Sequence, residues 1–190
     1  MKNLIKEKKN VFIFLALFVA ASSLLGIVRP VSVQVFSAVS QANRKLPVYC
    51  VDTPENKVAI SFDAAWGADD TDNLLQILAD ENVKTTFFMC GYWVDKYPDE
   101  VKKIAEAGHD LGNHSATHPH MNSLSAEQIK KELADTHNKV FDLTGVSMNL
   151  FRPPFGEYNN TVIEAAEQSG YYPIQWDVET NACGKNIYFL

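Results

Sequence analysis

From Lys57 onward, short apolar runs alternate with longer segments in which apolar residues recur at helical spacing. The short runs have the length, and the β-branched or aromatic content, of buried strands. The longer segments are typical of helices that bury one face. The sequence therefore predicts five strands separated by helices, with the strands over residues 58–62, 84–89, 109–113, 148–151 and 171–178 and the helices over 70–80, 98–107, 125–145 and 160–169.

Capping signals define several of these helices. Pro98 stands at a first helical position, and Gly108 follows the end of that helix. Ser125-Ala126-Glu127-Gln128 reads as a capping box, and Gly145 ends the helix that it starts. Strands that alternate with helices predict an α/β fold with a parallel sheet and right-handed crossovers. Five strands alone do not choose between an open sheet and a barrel.

The N-terminal part has a different character. Residues 11–28 carry no charge, and four lysines lie within the preceding ten residues, the predicted cytoplasmic tail. Eighteen helical residues span roughly 27 Å, enough for a hydrocarbon core. This run is longer than a signal-peptide core, which favours one retained transmembrane anchor over a cleaved signal. The basic flank predicts a cytoplasmic N-terminus and an extracytoplasmic domain, secreted if the segment is cleaved. Residues 29–50 read as a linker to a domain over 51–190.

Charge and cysteine content exclude several classes of protein. Residues 1–10 have a net charge of +3, so the remainder of the chain carries −9. An acidic exported domain is a poor match for nucleic acid, and its charge is most simply a solubilising surface. Cys50, Cys90 and Cys183 are odd in number and widely spaced. They indicate neither a disulfide framework nor a cysteine–zinc motif.

Three short stretches place chemically active side chains at the ends of predicted strands. Asp63 follows the first strand, His114 and His118 follow the third, and Arg152 follows the fourth. Parallel α/β folds build their sites at the carboxyl ends of strands, so these residues are expected to meet. Neutral imidazole is a common zinc ligand, although two loop histidines would show the same spacing. A strand-end aspartate that caps a turn and a structural salt bridge are the plainer alternatives for Asp63 and Arg152.

Together the three stretches resemble the polysaccharide deacetylase family, carbohydrate esterase family 4 or the NodB homology domain. The family's first motif reads T-F-D-D, its second is a histidine pair with Ser or Thr after the first histidine, and its third reads R-x-P-[YF]. Here residues 61–64 read S-F-D-A, 114–118 read H-S-A-T-H, and 152–155 read R-P-P-F. Residues 62–67, F-D-A-A-W-G, look most like the membrane-anchored, sporulation-associated branch.

The resemblance implies a distorted (β/α) barrel and a metal-dependent hydrolase that removes N-acetyl groups from a cell-wall polysaccharide, peptidoglycan-like or chitin-like. In that scheme Asp63 is the general base and Arg152 orients it. His114 and His118 bind a divalent metal, with zinc favoured over cobalt or nickel. The backbone N–H of Phe155 stabilises the oxyanion. Aromatic side chains stack on sugar rings, and Trp176 is the first candidate, ahead of Trp66, Tyr92 and Trp93.

The chain departs from the family pattern in two places. Ala64 stands where the family has an aspartate ligand. Three alternatives follow for the metal: Asp69 or Asp70 coordinates it from the next loop, Asp63 itself coordinates it, or the metal is bound weakly. After Glu179 the family's fourth and fifth motifs have no counterpart, so the chain is interpreted as C-terminally truncated or frame-shifted, with open strand edges and little turnover. The alternative for this segment is a compact natural variant with a different closure. For the function, the interpretation that competes with a hydrolase is an inactive deacetylase-like domain that binds glycan or serves a structural role.

Overall fold

The computed structural model describes residues 44–182 and 185–189. The predicted anchor at 11–28 and most of the predicted linker lie outside these residues. Within the described part of the chain, no helix has both the length and the apolar character needed to cross a membrane. The end of the predicted linker contacts the domain, because Val48 bridges Ile174 and Lys45 donates a backbone hydrogen bond to Asn160 Oδ1 at 3.0 Å.

Five parallel strands form the main part of one sheet, as the alternating pattern predicts. Each crossover between them contains a helix, which is the expected arrangement for an α/β fold. The strands are β1 (Ile60–Ala64), β2 (Thr86–Met89), β3 (Asp110–Asn113), β4 (Leu150–Phe151) and β5 (Tyr172–Pro173). Compared with the prediction, β1 begins two residues later and extends through Asp63, so this side chain belongs to the strand itself.

The C-terminal segment differs most from the sequence prediction. The predicted strand over 171–178 ends at Pro173, and a separate hairpin follows, formed by β6 (Val178–Ala182) and β7 (Lys185–Phe189). Strand β7 pairs antiparallel with β1, so it covers the edge that was expected to stay open. The sheet order is β5-β4-β3-β2-β1-β7-β6. The described strands therefore form one open seven-stranded sheet in place of the distorted, C-terminally truncated (β/α) barrel that the family resemblance implies, whereas the predicted α/β class with a parallel sheet is confirmed.

The helices agree closely with the prediction, with one addition. The helix that the pattern did not predict is α2, whose six residues are too few to show a 3.6-residue period. The helices are α1 (Thr71–Asp80), α2 (Gly91–Lys96), α3 (Pro98–Glu106), α4 (Ala126–Thr144) and α5 (Asn160–Gln168). The predicted capping box starts α4, where Ser125 and Gln128 exchange side-chain-to-backbone hydrogen bonds, and Gly145 ends it at φ 72°.

The core lies between the sheet and its helices, directly below the carboxyl ends of the strands. It contains apolar side chains from both layers, among them Phe87, Met89, Trp93, Ile129, Leu133 and Phe151. Gly112 in β3 makes room for the ring of Phe88, because a Cβ at position 112 would lie 2.4 Å from Phe88 Cδ1. This close approach holds the Phe88 ring in place beneath the residues described next.

Candidate active site

The carboxyl ends of four neighbouring strands bring chemically active side chains together. Asp63 lies near the end of β1, Cys90 directly follows β2, His114 directly follows β3, and Arg152 directly follows β4. The backbone connects these positions from strand to strand: Cys90 N donates to Ala64 O, and His114 N donates to Met89 O. The site therefore stands on the sheet, with His118 added from the loop after His114.

Asp63 and Arg152 form a buried ion pair. Arg152 Nη1 donates to Asp63 Oδ1 at 2.8 Å, and Arg152 Nη2 donates to Ser61 Oγ at 2.8 Å. The arginine side chain is fully buried, and the aspartate side chain is 9% exposed. A guanidinium held at two of its nitrogens has little freedom to turn, so it fixes the orientation of the carboxylate.

Aromatic rings enclose the same guanidinium. The Arg152 Cζ atom lies 4.1 Å from the centroid of Phe88 and 5.7 Å from that of Trp176. Such contacts stabilise a desolvated cation through the ring quadrupole. Because Gly112 positions Phe88, a small residue in β3 contributes indirectly to the placement of Asp63.

His114 is oriented by a backbone carbonyl. Its Nδ1 lies 2.7 Å from Arg152 O. A carbonyl only accepts, so Nδ1 carries the proton and donates, and the Nε2 lone pair remains for a ligand. That Nε2 lies 3.5 Å from Asp63 Oδ2. Burial lowers the pKa of His114 below its usual 6.5 despite the neighbouring carboxylate. The ring is therefore neutral at pH 7, as metal binding requires.

His118 reaches the site through a tight loop with two left-handed residues. Ser115 has φ 68° and His118 has φ 54°. Ser115 Oγ accepts a hydrogen bond from His118 N, and Glu132 on α4 accepts from the backbone N–H groups of Ala116 and Thr117, both at 2.8 Å. These bonds offset the cost of the unusual backbone conformation. The centroids of the two imidazoles are consequently 5.0 Å apart.

The environment of His118 also keeps its ring neutral. Burial, and after it the neighbouring His114, lower the pKa of His118 from 6.5 to about 4. The Phe155 ring packs edge-on against His118 with the centroids 4.5 Å apart. Both imidazoles are therefore neutral over the physiological pH range, and each can offer a ring-nitrogen lone pair to a metal ion.

Cys90 joins the two histidines as a third donor. Ligand atoms of Cys90, His114 and His118 all lie within 4.8 Å of one another. Burial raises the pKa of the Cys90 thiol well above its usual value, and Sγ donates to His114 O at 3.3 Å. Nitrogen and sulfur donors this close suit a zinc-like ion, whose bonds to them are about 2.0–2.3 Å long. The residues present therefore fit a divalent metal.

This trio bears on two sequence-based interpretations of the site. Cysteine spacing gave no indication of a metal site, yet Cys90 adjoins both histidines. Asp69 and Asp70, considered as replacement ligands, are exposed and do not belong to the group. Sequence reasoning missed Cys90 because a single cysteine has no spacing signal, and it missed Ser61 and Glu132 because their roles depend on tertiary contacts.

Three of the predicted substrate-contacting residues lie at the rim of the site: Phe155, Trp176 and Trp66. Phe155 is 55% exposed, lies at φ 58° in a short 3₁₀ turn (Pro154–Gly156) and stacks on His120. Trp176 is partly buried beside Arg152, and Trp66 is 75% exposed with its centroid 6.2 Å from that of His118. Trp93 is buried in the core, so the suggestion that it stacks on sugar is wrong.

The other predicted aromatic contact and the remaining histidines have local structural roles. Tyr92 is 36% exposed and donates its hydroxyl hydrogen bond to Ala65 O. His109 packs on Phe87, and His137 on α4 hydrogen-bonds the hydroxyl of Tyr171 at 2.7 Å. Two of the five histidines therefore have packing roles and one, His120, lies at the rim, which leaves His114 and His118 as the candidate ligands.

The histidine pKa shifts predict how acid affects the metal-free protein. Because the pKa of His118 falls from 6.5 when unfolded to about 4 when folded, the unfolded chain binds this proton first. The contribution of the neutral His118 ring to the free energy of unfolding is therefore complete above pH 6.5 and decreases as the pH falls towards 4. Urea unfolding of the metal-free chain at a series of pH values should show this decrease, and His118→Gln should reduce its slope. An unchanged slope in His118→Gln, equal to that of the exposed control His120→Gln, would contradict the assignment.

Comparison with known families gives a consistent result. A family model described as polysaccharide deacetylase matches residues 51–174. Peptidoglycan-N-acetylmuramic acid deacetylase PdaA of Bacillus subtilis is 33% identical over 131 residues, which are 68% of this chain and 50% of that protein. Peptidoglycan-N-acetylglucosamine deacetylase PgdA of Listeria monocytogenes is 33% identical over 159 residues, which are 80% of this chain and 34% of that protein. The matched part is half or less of either relative.

A solved structure adds a different type of relative. A CE4 family pseudoenzyme from Bacillus anthracis superposes with a TM-score of 0.61 and 34% identity, over 62% of this chain and 42% of that one. A mutant of the same protein is described as having restored enzymatic activity. The proteins that this chain resembles therefore include some named as deacetylases and one described as a pseudoenzyme.

Proposed function

Because this chain belongs to the polysaccharide deacetylase family, we propose that it is a divalent-metal-dependent hydrolase that removes N-acetyl groups from a cell-wall polysaccharide. The observation that carries the proposal is the geometry of Asp63. One of its oxygens is held by Arg152, and the other faces the free nitrogen of His114 at 3.5 Å. A carboxylate anchored on one side and aimed at a metal-binding imidazole on the other is placed to take a proton from water.

His114 and His118 would hold the metal in this reaction. Their neutral imidazoles are 5.0 Å apart between centroids, and imidazole suits zinc, cobalt and nickel. A bound divalent ion supplies an acidified water and polarises the acetyl carbonyl. Asp63 would accept the water's proton, and Arg152 would keep the carboxylate oriented towards that water.

The rim residues fit a carbohydrate substrate. We assign the Phe155 backbone N–H to the developing oxyanion, a usual role for a preorganised backbone donor. The partly buried Trp176 and the exposed Trp66 offer apolar faces beside the site for sugar rings. PdaA and PgdA carry peptidoglycan in their names, and this supports peptidoglycan, ahead of chitin-like chains, as the polysaccharide.

A second function is supported by a specific observation. Ala64 stands where the family resemblance expects an aspartate ligand, and the chain is similar to a pseudoenzyme of the same family. A domain with weak or no turnover that retains the sugar-facing rim would bind cell-wall glycan without cleaving it. This glycan-binding function uses the same surface and differs from the hydrolase only in that the acetyl group is not removed at the metal.

Acetate release separates the two functions. The full chain, loaded with zinc or cobalt, is incubated with peptidoglycan fragments and with N-acetylated chito-oligosaccharides. Acetate that appears with metal and disappears with a chelator supports the hydrolase, and the exposed variant Asp72→Asn, outside the site, should behave like the wild type. Glycan binding without acetate release would support the binding function in place of the hydrolase. If the chain neither binds glycan nor releases acetate, both functions are rejected.

We further propose that the domain lies outside the cytoplasm, joined to the membrane through the uncharged residues 11–28. The lysines before this run support the orientation. Protease added to intact cells should then remove the domain, and full protection would contradict this placement.

A further inference from the structure

We propose that Cys90 is the third protein ligand of the divalent metal, so that the centre is a Cys-His-His site. This inference rests on the proposed function and specifies the chemistry of its metal. Among the residues that the structure describes, Cys90, His114 and His118 are the group of three potential ligands whose donor atoms approach within 4.8 Å.

The topology of the sheet places Cys90 where a third ligand is needed. Cys90 directly follows β2, which lies between β1 and β3. Ala64, which has no donor, and Asn113 both pair with Met89, so Cys90 lies one residue beyond the level of Ala64 and level with His114. The backbone fixes this position, since Cys90 N donates to Ala64 O at 3.1 Å and His114 N donates to Met89 O at 2.9 Å. A sulfur at the end of the neighbouring strand thus lies within 4.8 Å of the ligand atoms of both histidines.

The donor set has the character of an open zinc site. Catalytic zinc usually has three protein ligands and a water in the fourth position, and mixed cysteine–histidine sets occur. One thiolate and two neutral imidazoles leave a net charge of +1 on a divalent centre, the same charge as with one carboxylate and two imidazoles. Sulfur also shifts the preference towards zinc and cobalt and away from magnesium and calcium.

Metal binding would exchange one interaction for another. The Cys90 thiol now donates to His114 O at 3.3 Å. On coordination the S–H bond breaks, the proton leaves to the buffer, and sulfur forms the bond to the metal as a thiolate. A buried cysteine that only fills the core is the plain alternative, because Cys90 has no exposed surface. The two cases differ in whether sulfur contacts the metal.

Cobalt(II) provides a direct test, because a cobalt–thiolate bond gives a near-ultraviolet charge-transfer band that histidine and carboxylate ligands do not give. The full metal-free chain is titrated with cobalt alone, without substrate. We expect the band in the wild type and in Cys50→Ser/Cys183→Ser, which keeps only Cys90. Cys90→Ser should lose the band and bind cobalt about 100-fold more weakly or worse, since even outer partners of metal ligands contribute about 10–100-fold.

A measurement on an unmodified site guards against a variant that fails to fold. X-ray absorption of the zinc-loaded Cys50→Ser/Cys183→Ser chain should show one sulfur at about 2.3 Å. Cobalt bound with visible bands that depend on His114, but with neither charge-transfer band nor sulfur scatterer, would overturn the role of Cys90. That result would leave the proposed hydrolase intact. A sulfur-ligated metal without acetate release would instead support Cys90 as a ligand and contradict the hydrolase.

A compensating pair supplies the last control. Ala64→Asp in the Cys90→Ala background adds back a carboxylate next to the missing sulfur. Cobalt affinity should recover at least 10-fold over Cys90→Ala, and the charge-transfer band should stay absent. A Cys90→Ala chain that binds cobalt as tightly as the wild type would show that the thiol is not a ligand.

Discussion

Replacing Arg152 with alanine is expected to lower the free energy of unfolding by about 3–5 kcal/mol, the usual cost of removing one partner from a buried ion pair. The reason is the environment of Asp63, whose side chain is 9% exposed and whose Oδ1 accepts from Arg152 Nη1 at 2.8 Å. Without the guanidinium this carboxylate is buried with its main cationic partner gone. The cavity beside Phe88 adds to the cost, since the guanidinium packs 4.1 Å from that ring.

Urea unfolding of the metal-free chain measures the effect. Asp63→Asn combined with Arg152→Ala should be less destabilised than the sum of the single variants, because the asparagine removes the uncompensated charge. The matched surface control is Lys139→Ala, which breaks the exposed contact between Lys139 Nζ and Asp95 Oδ2 at 2.5 Å and should cost about 0–1 kcal/mol. If Arg152→Ala is no more destabilising than this control, the buried pair is not a major contributor to stability.

The fold follows from sequence where elements are long enough to show a period. The capping box at Ser125 and the glycine at 145 locate the 19-residue helix α4, and the apolar runs locate β1 and β2. Elements with few residues are different: α2 has six residues, and β4 and β5 have two each. Such lengths carry no periodic signal, and their boundaries are set by tertiary contacts.

The β6–β7 hairpin shows a second limit. Its place beside β1 is a long-range pairing between Ile60–Phe62 and Ile187–Phe189. A pattern read along the chain predicts elements but not which distant edge they join. The antiparallel pairing of β7 with β1 was missed for this reason, whereas the parallel order of β1 to β5 follows from the general rule for strands that alternate with helices.

The site was predictable as far as motifs carried it. Asp63, His114, His118 and Arg152 were each chosen from short stretches at predicted strand ends, and the structure brings all four together. Cys90 was not found, although a usable signal existed. It directly follows β2, between the strands that carry Ala64 and His114, so a lateral comparison of strand ends would have placed a sulfur beside the histidine pair.

Replacing Asp63 with asparagine is expected to lower the rate of acetate release by about 10²–10⁴-fold, the usual contribution of a positioned general base. The amide has nearly the shape of the carboxylate and can still accept from Arg152 Nη1, but it cannot take a proton from water. Metal affinity should change by no more than a few-fold, because Asp63 is not in the group formed by Cys90, His114 and His118. The measurement uses whichever background releases acetate, wild type or Ala64→Asp.

The combination of the two readouts distinguishes a base from a ligand. His114→Ala should lose metal affinity and acetate release together, whereas Asp63→Asn should lose only acetate release. The exposed Asp72→Asn is the matched control and should change neither. If Asp63→Asn weakens metal binding as much as His114→Ala does, Asp63 is itself a ligand. If it leaves acetate release unchanged, the base is another residue, and the hydrogen bond between Arg152 and Asp63 serves stability alone.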